Sequence, residues 1–349
     1  MPDKINLKSL SEEELFSFAK AEGLPKYRVG QLFRWIYEKY ARDIQEITEF
    51  SKALREDIGK GAYISNIALV TRQSSKDGTE KYLFALEDGH TIESVMIPDD
   101  NRRTLCISSQ VGCAMACSFC LTGEKGLVRN LRAHEIVDQI ISVNRLIRPE
   151  RVSNIVLMGM GEPLANFDEV VKALWRITEF IGISKRKITL STSGLVPKMR
   201  ELPGRAPDVN LAISLNATTD EVRDRIMPIN KKYPLKMLLD ACRRYPLQLQ
   251  RLITFEYVLI DGVNDTMEDA KRLVRMLKSI PCKVNLIPYN PHEGSRLKRP
   301  LHERVLAFQK VLKDNRMNAF IRESKGQDIL AACGQLRGKQ NNRENNECC

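Results

Sequence analysis

Residues 104–120 read TLCISSQVGCAMACSFC. A strand-like run, TLCISS, leads directly into three cysteines spaced C-x3-C-x2-C: Cys113, Cys117 and Cys120. In sheets of parallel strands joined by helices, reactive groups collect in the loops beyond the strands' carboxyl ends. The helical pattern AHEIVDQIISVNRLI follows the cysteines, so strand, loop and helix together make the first unit of such a sheet. The same alternation then continues downstream. Strand-like NIVLMG, KITLSTS, VNLAISL, TFEYVLI and KVNLIPY are separated by helical stretches such as DEVVKALWRITEFI, PLKMLLDACRRY and MEDAKRLVRMLKSI. LHERVLAFQKVLKD is the last helical stretch, and NAFIRES is a late strand that extends the sheet. Alternating strand and helix predicts an α/β fold with a parallel sheet. Six units are too few for a closed eight-stranded barrel and predict an open, partial (β/α)6 barrel over 104–337.

Upstream, the pattern differs. Ser11 and Glu14 have the spacing of a capping box, and Val29, Leu32, Phe33, Ile36 and Tyr37 recur at helical spacing. With a third helix near Ser51–Ile58, residues 1–62 read as a small helical domain. Residues 63–103 contain two Asp-Gly turns, Asp77-Gly78 and Asp88-Gly89, between alternating stretches, which predicts a β-hairpin extension. The polar segment 338–349 lacks periodicity and reads as a disordered tail.

The composition is that of a globular protein, 43% hydrophobic and 28% charged. No apolar run reaches membrane-spanning length, and the start carries no signal-peptide pattern, so a cytoplasmic location without membrane contact is expected. Structural disulfides are rare there, which turns nine cysteines toward metal binding or thiol chemistry. A net charge of +11 favours phosphate-rich partners, nucleic acid first.

Thiolates are the usual ligands of iron–sulfur clusters, and a cubane held by only three leaves one iron open. An open position is what distinguishes a catalytic metal site from a closed structural one. The alternative is zinc with Cys106 as a fourth ligand, although Cys106-x6-Cys113-x3-Cys117-x2-Cys120 lacks paired knuckle spacing.

The C-x3-C-x2-C spacing resembles that of the radical S-adenosylmethionine enzymes. Together with LMGMGEPLAN, TLSTSGLVP, LNATTDEVRDRIMPIN, VNLIPYNP and ILAACGQL, it resembles the RlmN/Cfr group of radical S-adenosylmethionine RNA methyltransferases. The likeness runs from about Lys26 to Arg337, and the helical amino-terminal unit resembles that group's accessory RNA-binding domain. It implies a 4Fe–4S cluster on Cys113, Cys117 and Cys120, and S-adenosylmethionine as both methyl donor and radical source.

The resemblance also implies that Cys333 carries the methyl group, that Cys106 is the resolving thiol forming a transient disulfide with it, and that Glu93 is the proton acceptor. Gly161, Glu162, Ser191, the stretch Ser214, Leu215 and Asn216, and Asn290 are the implied cosubstrate contacts. Asn216 stands where many relatives have histidine, so acid–base chemistry at that position is in doubt. By themselves, Glu93 reads as a solvent-facing strand residue and Cys106 as a small buried hydrophobe. Cys242 and Cys282 read as core or near-core, and no partner is evident for Cys348 and Cys349.

The implied substrates are the 23S rRNA adenosine at the peptidyl-transferase centre and the tRNA adenosine beside the anticodon, each taken out of its stack. Basic clusters at Lys185–Lys187, Lys231–Lys232 and Arg296–Arg299 are candidate phosphate contacts. The chemistry asks for a flavodoxin-like electron donor and a thiol reductant, and a monomer is expected. Methylation at adenine C2 is the first reading. Cfr-type methylation at C8 shares every residue named, and a non-catalytic zinc-stabilised RNA-binding protein is the reading from another class.

Overall fold

The computed structural model describes residues 4–124, 126–292 and 294–338. The segment read as a disordered tail therefore lies, apart from Gly338, outside the described residues, as do Cys348 and Cys349.

One ten-stranded sheet organises the chain. Its strands are β1 (Ala68–Ser74), β2 (Glu80–Ala85), β3 (Thr91–Asp99), β4 (Arg102–Cys106), β5 (Asn154–Leu157), β6 (Ile188–Thr192), β7 (Asn210–Ser214), β8 (Ile253–Leu259), β9 (Cys282–Pro288) and β10 (Ala319–Ile321). They lie side by side in chain order. From β4 to β10 neighbouring strands are parallel, while β1 to β4 pair antiparallel. The hairpin extension is thus continuous with the parallel core. β4 is shared between them, with Cys106 opposite Val95 on one side and Val156 on the other. The two Asp-Gly turns close the β1–β2 and β2–β3 hairpins, with Gly78 and Gly89 in the left-handed region such turns require.

Long helices fall at Ala133–Leu146, Phe167–Glu179, Leu235–Arg243, Met267–Leu277 and His302–Asp314, within a few residues of the predicted periods. Parallel strands need such crossovers, and the apolar faces of these helices cover the sheet. Shorter elements carry too little periodicity to be read ahead: the helices Val196–Glu201 and Asp220–Ile226, and a hairpin of Gln110–Gly112 with Leu127–Asn130.

The amino-terminal helices are Glu12–Ala21, Tyr27–Phe33 and Lys52–Gly61, the first with both bonds of the Ser11–Glu14 capping box. They dock on the core through specific contacts. Lys8 and Asp138 form a buried ion pair at 2.6 Å. Arg176 donates to the carbonyls of Lys8 and Leu10 at 2.7 and 2.9 Å, and Phe180 stacks on Phe33 with ring centroids 4.4 Å apart.

Candidate active site

The short hairpin beyond β4 encloses the three-cysteine loop. Gly112 has φ 77°, and a Cβ there would lie 2.0 Å from the carbonyl oxygen of Gly126, so no other residue fits. That same carbonyl accepts the Cys113 N–H at 2.8 Å. The Cys120 N–H donates to the Cys117 carbonyl at 3.0 Å, and the Ser118 N–H to the Ile226 carbonyl at 3.0 Å. Ala217, Ile226 and Met227 form a small apolar floor against which Cys117 and Phe119 pack.

The segment carrying Cys333 is tied to this loop. Leu121 N–H donates to the Gly334 carbonyl at 2.7 Å, and Thr122 Oγ1 to the Leu336 carbonyl at 2.7 Å. Asn290 Nδ2 approaches the Cys333 carbonyl at 3.4 Å, and Gln335 Nε2 donates to the Pro291 carbonyl at 2.9 Å. Cys333 itself opens to solvent. Crowding by protein atoms, then the charge of Glu256 and of Cys120, pushes its thiol up to about 11. Cys106 ends β4 buried, its thiol pushed up by burial and then by Cys333.

Glu93 is buried, not solvent-facing. Its Oε2 accepts the backbone N–H groups of Arg337 at 2.6 Å and Gly338 at 3.1 Å, and Oε1 lies 3.4 Å from Lys81 Nζ. Because Val95 is directly opposite Cys106 and side chains alternate along a strand, Glu93 and Cys106 share one face of the sheet. Cys106 and Glu93 therefore lie on one sheet face near the segment that carries Cys333, although Glu93 and Cys333 are 240 positions apart in the chain.

The residues expected to face a cosubstrate lie at the ends of β5, β6, β7 and β9 or just beyond them. At Gly161, φ is 102° and a Cβ would lie 2.6 Å from that of Gln110, so glycine is required. Gln110 Oε1 accepts the Glu162 N–H at 2.8 Å. Glu162 is buried, its two oxygens accepting the N–H groups of Leu164 at 3.0 Å and Ser193 at 2.7 Å. Burial raises its pKa, and the hydrogen bonds from Ser193, Thr192 and Leu164 oppose the rise.

Ser191 lies in β6, opposite Ala212 of β7. Ser214 and Leu215 present carbonyls that Arg223 binds. Asn216 follows β7 and is held by its own side chain. Its Oδ1 accepts the Val258 N–H at 2.8 Å and its Nδ2 contacts Met227 Sδ at 3.2 Å, so the amide ties the turn after β7 to β8. Its φ of 58° is one that asparagine tolerates better than most residues. Asn290 keeps a buried Oδ1 without a hydrogen-bond partner.

Sequence reasoning passed over Gln110, Arg223 and Glu256. Glu256 sits in β8 and accepts from Asn285 Nδ2 at 2.9 Å, its carboxyl raised by burial. Charged residues inside a strand or a short helix read as solvated until the tertiary structure buries them.

Three thiols on one loop are a donor set that suits an iron–sulfur cluster. Among the described residues no three His, Cys, Asp or Glu side chains close on a point that one ion would fill. Cys120 is nonetheless near enough to help raise the pKa of both Cys113 and Cys117. Burial pushes Cys113 up to about 12 and Cys117 higher still, which suits thiols that ionise only on binding metal. Cys333 lies near enough to Cys106 to raise its thiol further.

Two family descriptions match: the Radical SAM superfamily over residues 107–277, and the ribosomal RNA large subunit methyltransferase N-terminal domain over residues 5–64. A dual-specificity RNA methyltransferase RlmN of Geobacter sulfurreducens is 54% identical over 97% of this chain and 94% of its own. The protein of that name from Geotalea uraniireducens is 53% identical over 97% and 98%. The chain belongs to the RlmN family of radical S-adenosylmethionine RNA methyltransferases. A crystal structure of a radical SAM methyltransferase from Sphaerobacter thermophilus shares the architecture, with a TM-score of 0.91 at 42% identity, over 95% of this chain and 99% of that one. As an RlmN-family enzyme it uses a 4Fe–4S cluster and S-adenosylmethionine and acts on RNA.

Proposed function

We propose that this RlmN-family enzyme methylates C2 of an adenosine in 23S rRNA and of one in tRNA, with Cys333 as methyl carrier. The observation that carries the mechanism is the meeting of Cys106, Cys333 and Glu93 beside the three-cysteine loop. Dual specificity is supported by relatives of that name matching over nearly the whole chain. The cytoplasm, where ribosomes and tRNA are found, is the matching location.

Cys113, Cys117 and Cys120 hold the cluster, and Glu162 with the loops after β6 and β7 receives the cosubstrate. Once bound, the pair would supply a methyl cation equivalent, then a carbon radical to take a hydrogen atom from the carried methyl group, and would take back one electron as the link to RNA forms. Cys333, exposed at the rim, is placed to take the methyl group and to meet an RNA base, forming a covalent enzyme–RNA link. Glu93 takes the ring proton. Cys106 Sγ then attacks Cys333 Sγ, and the carbon–sulfur bond breaks with its electron pair returning to the new methyl carbon, which picks up a proton. A disulfide remains, for a thiol reductant to open.

Two measurements test this reading. Mass spectrometry of the tryptic peptide Gly326–Arg337 from cluster-loaded enzyme is expected to show a methyl group on Cys333 that blocks alkylation. Chromatography of nucleosides from treated 23S rRNA and tRNA is expected to show 2-methyladenosine in both. An unmethylated Cys333 sinks the carrier mechanism, and 8-methyladenosine sinks the choice of carbon.

A further inference from the structure

Arg223 belongs to the helix Asp220–Ile226 and heads the fully buried side chains by size, at 1% exposure. Its Nε donates to the Leu215 carbonyl at 2.9 Å and one terminal nitrogen to Asn230 Oδ1 at 3.0 Å. The other terminal nitrogen serves the carbonyls of Ser193 and Ser214 at 2.8 and 3.1 Å. Every one of these acceptors is neutral. Two carboxylates stand one step behind, where Asn230 Nδ2 donates to Asp220 and Asp224 at 2.9 and 2.7 Å.

A cation taken wholly out of water is costly unless opposite charge is close by. Burial draws the Arg223 pKa down to about 10, opposed by Cys117 first and then by Asp220 and Asp224, so it stays charged at neutral pH. The position shows why Cys117 acts on Arg223. The helix that carries Arg223 ends at Ile226, whose carbonyl holds the Ser118 N–H, and Cys117 packs on the Ile226–Met227 floor. The guanidinium thus binds the two loops that follow β6 and β7 from a helix whose end also supports the middle cysteine.

We propose that Arg223 is the charge partner of the cluster, a positioning residue that stabilises the electron the cluster accepts while tying together the two cosubstrate-facing loops. A cubane on three thiolates is already anionic, and reduction by one electron adds a further negative charge. A fixed cation in a poorly screened interior stabilises the more negative state and so raises the midpoint potential. The inference rests on the cluster seat proposed above and not on which adenine carbon is methylated.

The test is an anaerobic potentiometric titration of the full chain with dithionite and mediator dyes, without RNA, following the reduced cluster by electron paramagnetic resonance. R223M removes the charge while keeping a long apolar stem. D224N keeps the oxygen that Asn230 binds but removes a competing carboxylate. R223M is expected to lower the reduced-to-oxidised ratio at fixed potential about tenfold, a shift of about 59 mV to more negative values for a one-electron couple. D224N is expected to shift the other way by less, a direction that damage to the fold does not explain, and R223K to stay near wild type. An R223M protein with wild-type iron content and an unshifted potential overturns the proposal. Should R223M fail to load, an unshifted D224N overturns it alone. Wild-type protein that binds no 4Fe–4S cluster would instead count against the cluster seat.

Discussion

The bond from Thr122 Oγ1 to the Leu336 carbonyl, 2.7 Å long and buried, ties the Cys333 segment directly to the cysteine loop. T122V keeps the branched shape and deletes the donor, leaving a buried carbonyl without its partner. Such a loss costs about 1–3 kcal/mol. At tenfold per 1.4 kcal/mol, that is roughly 5- to 140-fold in the equilibrium between the docked and undocked segment. The backbone N–H groups of Arg337 and Gly338 donate to Glu93 and report on the same docking. Hydrogen exchange at those two amides is therefore expected to accelerate by that factor in T122V, with T122S, which keeps the hydroxyl, within about threefold of wild type. Methylation of Cys333 is expected to slow in parallel. Exchange in T122V within twofold of wild type would refute the reasoning, as would T122S behaving like T122V.

In C106A, Cys333 is expected to become methylated while the RNA stays covalently attached, visible as a protein–RNA band on denaturing gels; free methylated product at wild-type yield would remove Cys106 from the resolving step. D138A strands the buried Lys8 ammonium and is expected to lower unfolding free energy by about 3–5 kcal/mol in urea, with K8M/D138L recovering most of it. A loss below about 1 kcal/mol would show that the pair is not what fastens Lys8. With a thiol pKa of about 11, Cys333 of cluster-free enzyme at pH 8 is on the order of 0.1% thiolate. Iodoacetamide labelling should therefore climb about tenfold per pH unit from 7 to 10, and a plateau near pH 9 would contradict the crowded setting of this thiol.

Much of this arrangement could be read from residue order, because local rules governed it. The period of the strands and helices, the two Asp-Gly turns and the Ser11–Glu14 cap all depend on near neighbours, and each falls where predicted. The C-x3-C-x2-C spacing is likewise local. Arg223 was not legible because LNATTDEVRDRIMPIN holds five charged residues, and only the packing of a seven-residue helix under the cysteine loop shows which one is buried. The bond from the Val258 N–H to Asn216 was not legible either, because it joins residues 42 positions apart, one just after β7 and one in β8. Glu93 needed the tertiary structure as well, since its two backbone partners come from 244 and 245 positions further along the chain.

The meeting of Cys106 and Cys333 follows from how the sheet ends. A barrel closes when its first parallel strand pairs with its last, but the outer edge of β4 is already occupied by β3. The sheet must stay open, and the chain leaving β10 crosses the opening to the antiparallel extension. Gly326 N–H donates to Asp77 at 2.9 Å, Ser75 Oγ to Asp328 at 2.6 Å, and Lys81 Nζ to the Leu330 carbonyl at 3.3 Å. Past those anchors the segment turns back over the end of β4, placing Cys333 beside Cys106 before Arg337 and Gly338 fasten it to Glu93. The extension therefore does two things at once. It prevents closure, which leaves the rim open for a macromolecular substrate, and it anchors the strap that carries the exposed thiol. Removing either anchor set should loosen Cys333, still tied through Gly334 and Leu336, while leaving the three-cysteine loop folded, because that loop is also held by Gly126 and Ile226.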